Sequence, residues 1–207
     1  MKRLGSPFIL SIALAGLMLV GCGGGGGNVS GGMMGGGLAA TFTPDVPTPT
    51  AGSISMAAGA TTGDTFQVEI HVTDVVDFFG TAFSLRFDPA SAEYQSFDTS
   101  MSMLQAYAPD IEIRADLDLV DTGLVAIVAT LRNPISGPIQ GIDTTGAMND
   151  LLLTLTFRAT NPTVGPNHNP FSVDNVRMRE IRVCPAPPGA CTVLGGVNWN
   201  GGTLTAM

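Results

Sequence analysis

Two cysteines near the end of the chain have the spacing of a short cross-link. Cys184 and Cys191 enclose the segment Pro185–Ala190, three of whose residues are prolines. Exported proteins permit disulfides, and closing so short a loop stabilises a fold by about 2.5 kcal/mol on the chain-entropy estimate. A redox pair or a metal site is the alternative, but the C-x-x-C spacing and a neighbouring histidine are missing from the sequence. We therefore predict a structural disulfide.

Three carboxylates could bind a metal ion. Asp116 and Asp118 are two residues apart on a predicted strand, and Asp121 follows at its turn, so their oxygens could share one Ca²⁺. The spacing is not that of an EF-hand loop. A solvated acidic edge that opposes strand-to-strand aggregation is the simpler interpretation. We expect no cofactor and keep calcium as a secondary candidate.

The sequence offers little for catalysis. His71 and His168 are its two histidines; the first lies on the polar side of a predicted strand and the second in a Pro/Asn loop. Neither a nucleophile elbow nor a zinc motif is present in the sequence. We predict that the protein is not an enzyme.

The amino terminus carries a targeting pattern. The apolar run Phe8–Val20 follows two basic residues and is too short for a membrane-spanning helix, which needs about 20 residues. It ends in Leu19–Cys22, which resembles a bacterial lipobox. The resemblance implies that residues 1–21 are a signal peptide, that Cys22 carries the lipid, and that the protein resides in the cell envelope. Gly23, where retained lipoproteins have Asp, resembles the pattern of lipoproteins sent to the outer membrane, on its periplasmic or its surface-exposed side.

Composition limits the remaining organisation. A net charge of -8 with nine Lys and Arg argues against nucleic-acid binding, which needs a clustered basic face. Residues 22–52 are rich in Gly and then in Pro and Thr, with too little apolar periodicity to offset ordering entropy, so we predict a flexible tether. Residues 53–207 are enough for one domain with a core.

Alternation with a period of two dominates this domain. Apolar residues recur at every second position in five runs bounded by Gly, Pro, Asn and Asp clusters. Such runs predict an all-β, antiparallel β-sandwich with one solvated face on each sheet. The five runs begin at Phe66, Phe83, Ile111, Val125 and Leu151.

Four segments together resemble the cohesin domain family. They are Gly63–Ile70, Asp77–Pro89, Leu151–Phe157 and Gly201–Thr205, and their order and spacing are similar over roughly residues 54–206. The resemblance implies a jelly-roll sandwich of about nine strands that binds, through one sheet face, a dockerin-like partner or another envelope protein. It also implies a role in polysaccharide catabolism, with membrane attachment through the lipid alone.

The same resemblance places the partner contacts on exposed positions of the strand that ends in Asp88-Pro89 and of the strands beside it. Carried over to this sequence, the positions are Gly80, Ala82, Ser84 and Arg86, with Glu112, Arg114 and Asp116.

Two other functions stay open. A carbohydrate-binding module at the cell surface is the first, although Trp199, Tyr94 and Tyr107 are too far apart in sequence to indicate a planar aromatic strip. A structural envelope lipoprotein without a separate ligand is the second.

Overall fold

The computed structural model describes residues 38–132, 140–144, 150–162, 169–185 and 190–207. The described strands all belong to one compact unit, residues 36–207. Within these ranges, no helix has the length and apolar character needed to cross a bilayer. Cys22 and the predicted signal peptide lie outside the described residues, as does His168.

Strands account for nearly all the regular structure in the described part of the chain, and a short 3₁₀ helix, Met103–Tyr107, joins two of them. The strands are β1 (Ala40–Pro44), β2 (Ser53–Thr62), β3 (Thr65–Thr73), β4 (Phe78–Arg86), β5 (Ala92–Asp98), β6 (Ile111–Leu117), β7 (Leu124–Leu131), β8 (Leu151–Ala159), β9 (Asn169–Val173), β10 (Glu180–Val183), β11 (Thr192–Val193), β12 (Asn198–Trp199) and β13 (Gly202–Ala206).

The described strands form two sheets. We call the larger one the front sheet; it contains β6, β7, β4, β9, β10, β11, β13 and β1. The other, the back sheet, has the order β12-β2-β3-β8-β5. Pairing is antiparallel throughout except between β12 and β2, which are parallel. The predicted all-β sandwich is confirmed.

One edge of β4 is paired by two consecutive strands. β9 pairs with the end of β4, where Val173 lies opposite Leu85. β10 pairs with its beginning, where Glu180 lies opposite Ala82. The segment 174–179 therefore leaves the sheet between the two strands, and we call it the excursion. β9 and β10 divide one edge of β4 between them, and β11 and β12 are only two residues long. The described residues therefore contain more strands than the nine that were expected.

The core between the sheets is built around aromatic rings. Phe157 of β8 and Phe171 of β9 meet edge to face, with ring centroids 5.0 Å apart, and both are fully buried. Phe66 and Phe87 pack against this pair. Burying a phenylalanine of this kind contributes about 1.5–3 kcal/mol, so these contacts hold the sheets together.

The predicted alternation is found in each of the five runs, with two local interruptions: Ser84 of β4 is buried between Phe83 and Leu85, and β8 departs from the pattern at its start. Leu153, Leu155 and Phe157 of β8 point inward, as predicted. Leu152 is also buried and Leu151 only partly so, because a bulge shifts the register of β8 against β3 at His71. A bulge places two residues opposite one and breaks the alternation.

The tether prediction was wrong at its carboxyl end. The folded unit does not begin at residue 53, since β1 pairs with β13 along its whole length. Ala40 and Phe42 are buried, and the Phe42 ring lies against Phe171, with centroids 5.6 Å apart. Gly202 makes room for this ring, because a Cβ there would lie 2.1 Å from it. The segment is rich in Pro and Thr, so its two inward residues, Ala40 and Phe42, did not stand out as a strand pattern. Two such residues are enough for an edge strand.

Candidate functional site

The outward side of β4 forms the centre of the predicted binding face. Phe83 and Leu85 point into the core, so Ala82, Ser84 and Arg86 point away from it. On one side β4 pairs with β7, which in turn pairs with β6; on the other it pairs with β10. We call the outward surface of β6, β7, β4 and β10 the front face.

Strand register brings the predicted residues together in cross-strand rows. Residues directly opposite each other in neighbouring strands have Cβ atoms about 5 Å apart, so each row is a line of contact across the face. The rows are Glu112–Thr130–Gly80–Arg182, Arg114–Val128–Ala82–Glu180 and Asp116–Ala126–Ser84. Six of the seven residues that the cohesin resemblance indicated belong to these rows, and Arg86 follows on the same side of β4.

Two of those seven are not available for contact. Gly80 is buried, and a Cβ there would lie 2.5 Å from the hydroxyl of Thr130, so the Thr130 side chain covers this position. Ser84 is also buried, beside the start of the excursion, where the Asp174 N–H donates to its carbonyl oxygen. The expectation that these two positions are exposed was wrong, because exposure on a sheet also depends on neighbouring strands and loops.

Five further residues of the face were missed. Ala126, Val128 and Thr130 of β7 lie directly across from Ser84, Ala82 and Gly80. Glu180 and Arg182 of β10 lie across from Ala82 and Gly80 on the other side of β4. The alternation around Ile181 does indicate a strand with these two charged residues outward. It does not reveal which strand they lie beside.

Charged residues at the rim of the front face are ion-paired. Glu112 accepts from Arg114 Nε at 2.8 Å and from Arg132 at 3.0 Å. These two guanidinium groups, Arg132 first, hold the pKa of Glu112 below its usual range. Across the face, Arg182 donates to Glu180 at 2.8 Å. Exposed pairs of this kind contribute little stability, so their effect is to hold long side chains at the rim and leave the centre flat.

One end of the front face is closed by charge pairs between loops. Arg86 donates to Asp174 of the excursion at 2.7 Å and to Asp121 of the β6–β7 turn at 3.3 Å. Arg177 of the excursion donates to Asp118 of the same turn at 2.6 Å. These bonds link β4, the β6–β7 turn and the excursion into one structure.

Asp174 is the anchor of this structure. Its side chain is 1% exposed and accepts hydrogen bonds from the Val176 and Arg177 N–H groups as well as from Arg86. The Val176 N–H, followed by the Arg86 guanidinium, lowers the pKa of Asp174. In return, the hydrogen bond to Asp174 raises the pKa of Arg86. The two groups thus stabilise each other's charged form.

The three candidate calcium ligands, Asp116, Asp118 and Asp121, are not arranged around one common site. Asp118 accepts from the Val120 and Asp121 N–H groups and from Arg177, and these bonds, the one from Val120 first, lower its pKa. Asp121 is paired with Arg86, while Asp116 lies on the front face beside Ala126. In the described ranges, no group of three or more His, Cys, Asp or Glu side chains is arranged to hold a metal ion.

The cysteines and the described histidine occupy structural positions. Cys184 and Cys191 form a disulfide bond that joins the segment after β10 to the start of β11. The His71 imidazole hydrogen-bonds the Glu69 carboxylate at 3.0 Å on the outer side of the back sheet.

The aromatic residues do not form a flat strip in the part of the chain that the structure describes. The Trp199 ring is partly buried and packs against Phe83 of the core, with centroids 5.5 Å apart, and Arg179 lies over it. The Tyr94 hydroxyl donates to the Ala115 carbonyl at 2.7 Å. Burial, followed by the charge of Asp116, raises the pKa of Tyr94 to about 12.

A concave surface lies on the outer side of the back sheet. It is a groove of about 720 Å³ bordered by that sheet and by the proline-rich segment after β1. Its floor contains the cross-strand row Ala57–Glu69–Thr154–Asp98. Hydrogen bonds from Ser100, the backbone N–H first, lower the pKa of Asp98, which stays ionised. This groove could not be predicted while the proline-rich segment was assigned to the tether.

Comparison of the sequence with protein-family models and with curated proteins found no match. Solved structures that resemble the chain include the third cohesin of ScaC from Acetivibrio cellulolyticus, in complex with the ScaB dockerin, at 14% identity and a TM-score of 0.45 over 73% of this chain and 87% of that one. They also include a type II cohesin from the cellulosome of Acetivibrio cellulolyticus, at 12% identity and a TM-score of 0.47 over 74% and 95%.

Type II cohesin A11 from Bacteroides cellulosolvens is similar at 13% identity and a TM-score of 0.49, over 73% of this chain and 98% of that one. These solved structures are cohesins, the family that the sequence resembles. Their TM-scores are all below 0.5, so no role of an individual residue is transferred from them.

Proposed function

We propose that this chain is a non-catalytic, lipid-anchored module of the cell envelope that binds a protein partner, of the dockerin type, through its front face. Polysaccharide catabolism is the setting that the sequence resemblance implies. The main support for the proposal is the distribution of side chains on the front face, with small side chains at its centre and paired charges at its rim.

The centre of the face suits flush contact with another protein. Ala82, Ala126 and Val128 present short side chains, and Thr130 fills the position above Gly80. A partner's helix or strand can approach such a surface closely without displacing long side chains. Flat, well-packed contact of this kind, with charges kept to the rim, is the usual anatomy of protein interfaces.

The arginines of the front face do not make it basic. Those that lie on the face or on the loops at its end are each ion-paired with a carboxylate there; they are Arg86, Arg114, Arg132, Arg177 and Arg182. Contact with a partner therefore depends on the small side chains at the centre of the face.

The test uses two matched arginine substitutions. Ala82→Arg places a long charged side chain at the centre of the front face, whereas Thr156→Arg places the same side chain on the outer side of the back sheet. Each calcium-loaded dockerin module of the source organism is titrated separately against the unsubstituted chain and both variants by biolayer interferometry. We expect one of them to bind, and Ala82→Arg to weaken it by about 100-fold or more, as for a hot-spot change.

Thr156→Arg is expected to bind as well as the unsubstituted chain. Equal losses in the two variants, or binding that neither variant changes, would contradict a partner site on the front face. Failure of every dockerin module to bind would contradict the dockerin-type partner.

The groove on the back sheet supports a second candidate function, the capture of a polysaccharide. Glu69, His71, Thr154 and Asp98 line it with hydrogen-bonding groups of the kind that recognise sugar hydroxyls, and Pro47 contributes an apolar wall. Affinity electrophoresis in gels that contain soluble polysaccharides tests it. Retardation that Thr154→Arg removes and Ala82→Arg leaves intact would favour sugar binding; equal mobility in all gels would exclude it for the polysaccharides used.

A further inference from the structure

Four aliphatic side chains are almost fully exposed at one end of the front sheet. Leu119 and Val120 of the β6–β7 turn are 94% and 95% exposed, and Val176 and Met178 of the excursion are 88% and 73% exposed. We call these four residues the apolar ridge. Single exposed aliphatic residues are ordinary on protein surfaces, whereas clustered exposed apolar residues are typical of contact sites.

The two loops that carry the ridge are held together. Arg177, between Val176 and Met178, donates to Asp118 directly before Leu119. Within each loop, a carboxylate accepts from the backbone N–H two residues on: Asp118 from Val120 at 2.8 Å, and Asp174 from Val176 at 2.7 Å. The apolar side chains are therefore displayed by loops whose backbones are constrained, and they cannot turn inward without breaking these bonds.

The strand register shows which end of the molecule the ridge occupies. Arg86, the last residue of β4, lies opposite Leu124, the first of β7, so the β6–β7 turn is at this end. On the other side of β4, Arg86 lies opposite Ser172 of β9. β9 begins at Asn169, further toward the same end.

The registers of β9 with β13 and of β13 with β1 show where the chain enters the domain. Asn169 lies opposite Leu204 of β13, and β13 continues two residues further in the same direction to Ala206. Ala206 lies opposite Ala40, the first residue of β1. The chain thus enters the domain at the end of the front sheet that carries the ridge. Four strand spacings separate β7 from β1, about 20 Å.

We propose that the apolar ridge rests in the interface of the membrane to which the chain is tethered. Seventeen residues separate Cys22, the predicted lipid site, from Ala40. Even fully extended they span only about 60 Å, so the ridge end of the domain is kept near the bilayer. Tethering at such a distance raises the effective lipid concentration and allows a weak apolar contact to persist.

Local charges indicate the kind of lipid surface. The ionisable groups of the two loops, together with Arg86 that links them, are Arg86, Arg177, Arg179, Asp118, Asp121 and Asp174. Their charges balance, and the chain as a whole is acidic, so anionic headgroups are not attracted. The ridge therefore fits a zwitterionic surface, which it meets through its aliphatic side chains. In this orientation the strands of the front sheet point away from the membrane and the front face stays accessible.

The test measures the depth of single tryptophans on tethered protein. The chain from Cys22 onward is coupled through the Cys22 thiol to a maleimide lipid in phosphatidylcholine vesicles, with or without brominated acyl chains. Val120→Trp reports on the ridge. Val76→Trp is the matched control, because Val76 is 68% exposed and lies just before β4, at the opposite end of the sheet. The unsubstituted chain corrects for Trp199.

We expect bromine to quench Val120→Trp at least about threefold more strongly than Val76→Trp, with a blue shift in the ridge variant alone, because bromine on the chains quenches only residues that reach them. Equal quenching of the two variants would overturn the proposal. So would an unquenched Val120→Trp that shifts to the blue only when a dockerin module is added, which would assign the ridge to a protein interface. The quenching result does not depend on whether the front face binds a protein, so the two proposals can fail separately.

Discussion

At the residue scale, the carboxylate of Asp174 is the most important single group, and its role is structural. Asp174 is buried where β9 leaves the sheet, and its oxygens accept from two backbone N–H groups and from Arg86. Those bonds hold the excursion over the end of β4 and thereby set the limit of the accessible front face.

Replacing Asp174 is expected to destabilise the fold. Asp174→Ala should lower the free energy of unfolding by roughly 1.5–3 kcal/mol, because charge-assisted hydrogen bonds are lost and two N–H groups are left without an acceptor. Asp121→Ala, which removes a more exposed partner of the same arginine, should cost less than about 1 kcal/mol. Urea unfolding measures both. Similar losses in the two variants would contradict the anchoring role.

The pH dependence follows from the direction of the shift. The pKa of Asp174 is lower in the folded state than in the unfolded state, so its contribution is full above the ordinary carboxyl pKa of about 4 and declines as the pH falls below it. The stability of the unsubstituted chain should therefore drop more steeply below pH 4 than that of Asp174→Ala. Parallel curves would show that another carboxylate is responsible.

Tyr94 has the opposite dependence, at alkaline pH. Its pKa is raised to about 12 in the folded state, against about 10 in the unfolded state. Above pH 10 the unfolded phenol ionises while the folded one does not, so stability should fall between pH 10 and 12. Tyr94→Phe should remove this part of the decline and lower stability at pH 7 by about 1 kcal/mol, the usual worth of a lost hydrogen bond. Denaturant titrations at pH 8, 10 and 11 test this.

At the element scale, β1 defines where the domain begins. This segment was predicted to be part of the tether, yet it forms the edge of the front sheet and buries Phe42 against Phe171. Pro44 is tolerated because β1 is an edge strand, where a missing N–H costs nothing.

The phenylalanine of β1 provides a direct test. Phe42→Ala should lower the free energy of unfolding by about 3–5 kcal/mol, as for other buried phenylalanines. Thr43→Ala, at an exposed position of the same strand, should change it by less than about 0.5 kcal/mol. Thermal unfolding followed by circular dichroism measures both. If Phe42→Ala had as little effect as Thr43→Ala, the segment would be a tether after all.

At the scale of the whole molecule, the two sheets depend on one another. Trp199 belongs to the back sheet and packs on Phe83 of the front sheet. Phe157 of the back sheet packs on Phe171 of the front sheet in the same way. Neither sheet could bury its apolar face alone.

Unfolding should therefore be cooperative. We expect Trp199 fluorescence, which reports on the contact between the sheets, and far-ultraviolet circular dichroism, which reports on the strands, to give one coincident transition in urea. Separate midpoints for the two probes would show that one sheet survives without the other. A variant that lacks the tryptophan, Trp199→Phe, verifies the origin of the fluorescence signal.

The extent to which the sequence predicted this protein can be judged from particular residues. Alternation around Phe66, Phe83 and Leu155 was enough to predict a sandwich, since a period of two with one apolar side requires a sheet with one buried face. The same alternation placed Ala82, Arg86 and Arg114 on outward positions. It could not show that Ser84 is buried, because that depends on a loop 90 residues later in the chain.

What the sequence by itself determined is the local part: which segments are strands, which side of each is apolar, and which cysteines are close enough to pair. What only the tertiary structure decided is the arrangement of those pieces. The register across β6, β7, β4 and β10 assembled the front face, and the return of β13 to β1 placed the chain entry beside the apolar ridge. The physical reason is that strand formation follows from side chains two residues apart, whereas register depends on packing between segments far apart in the chain.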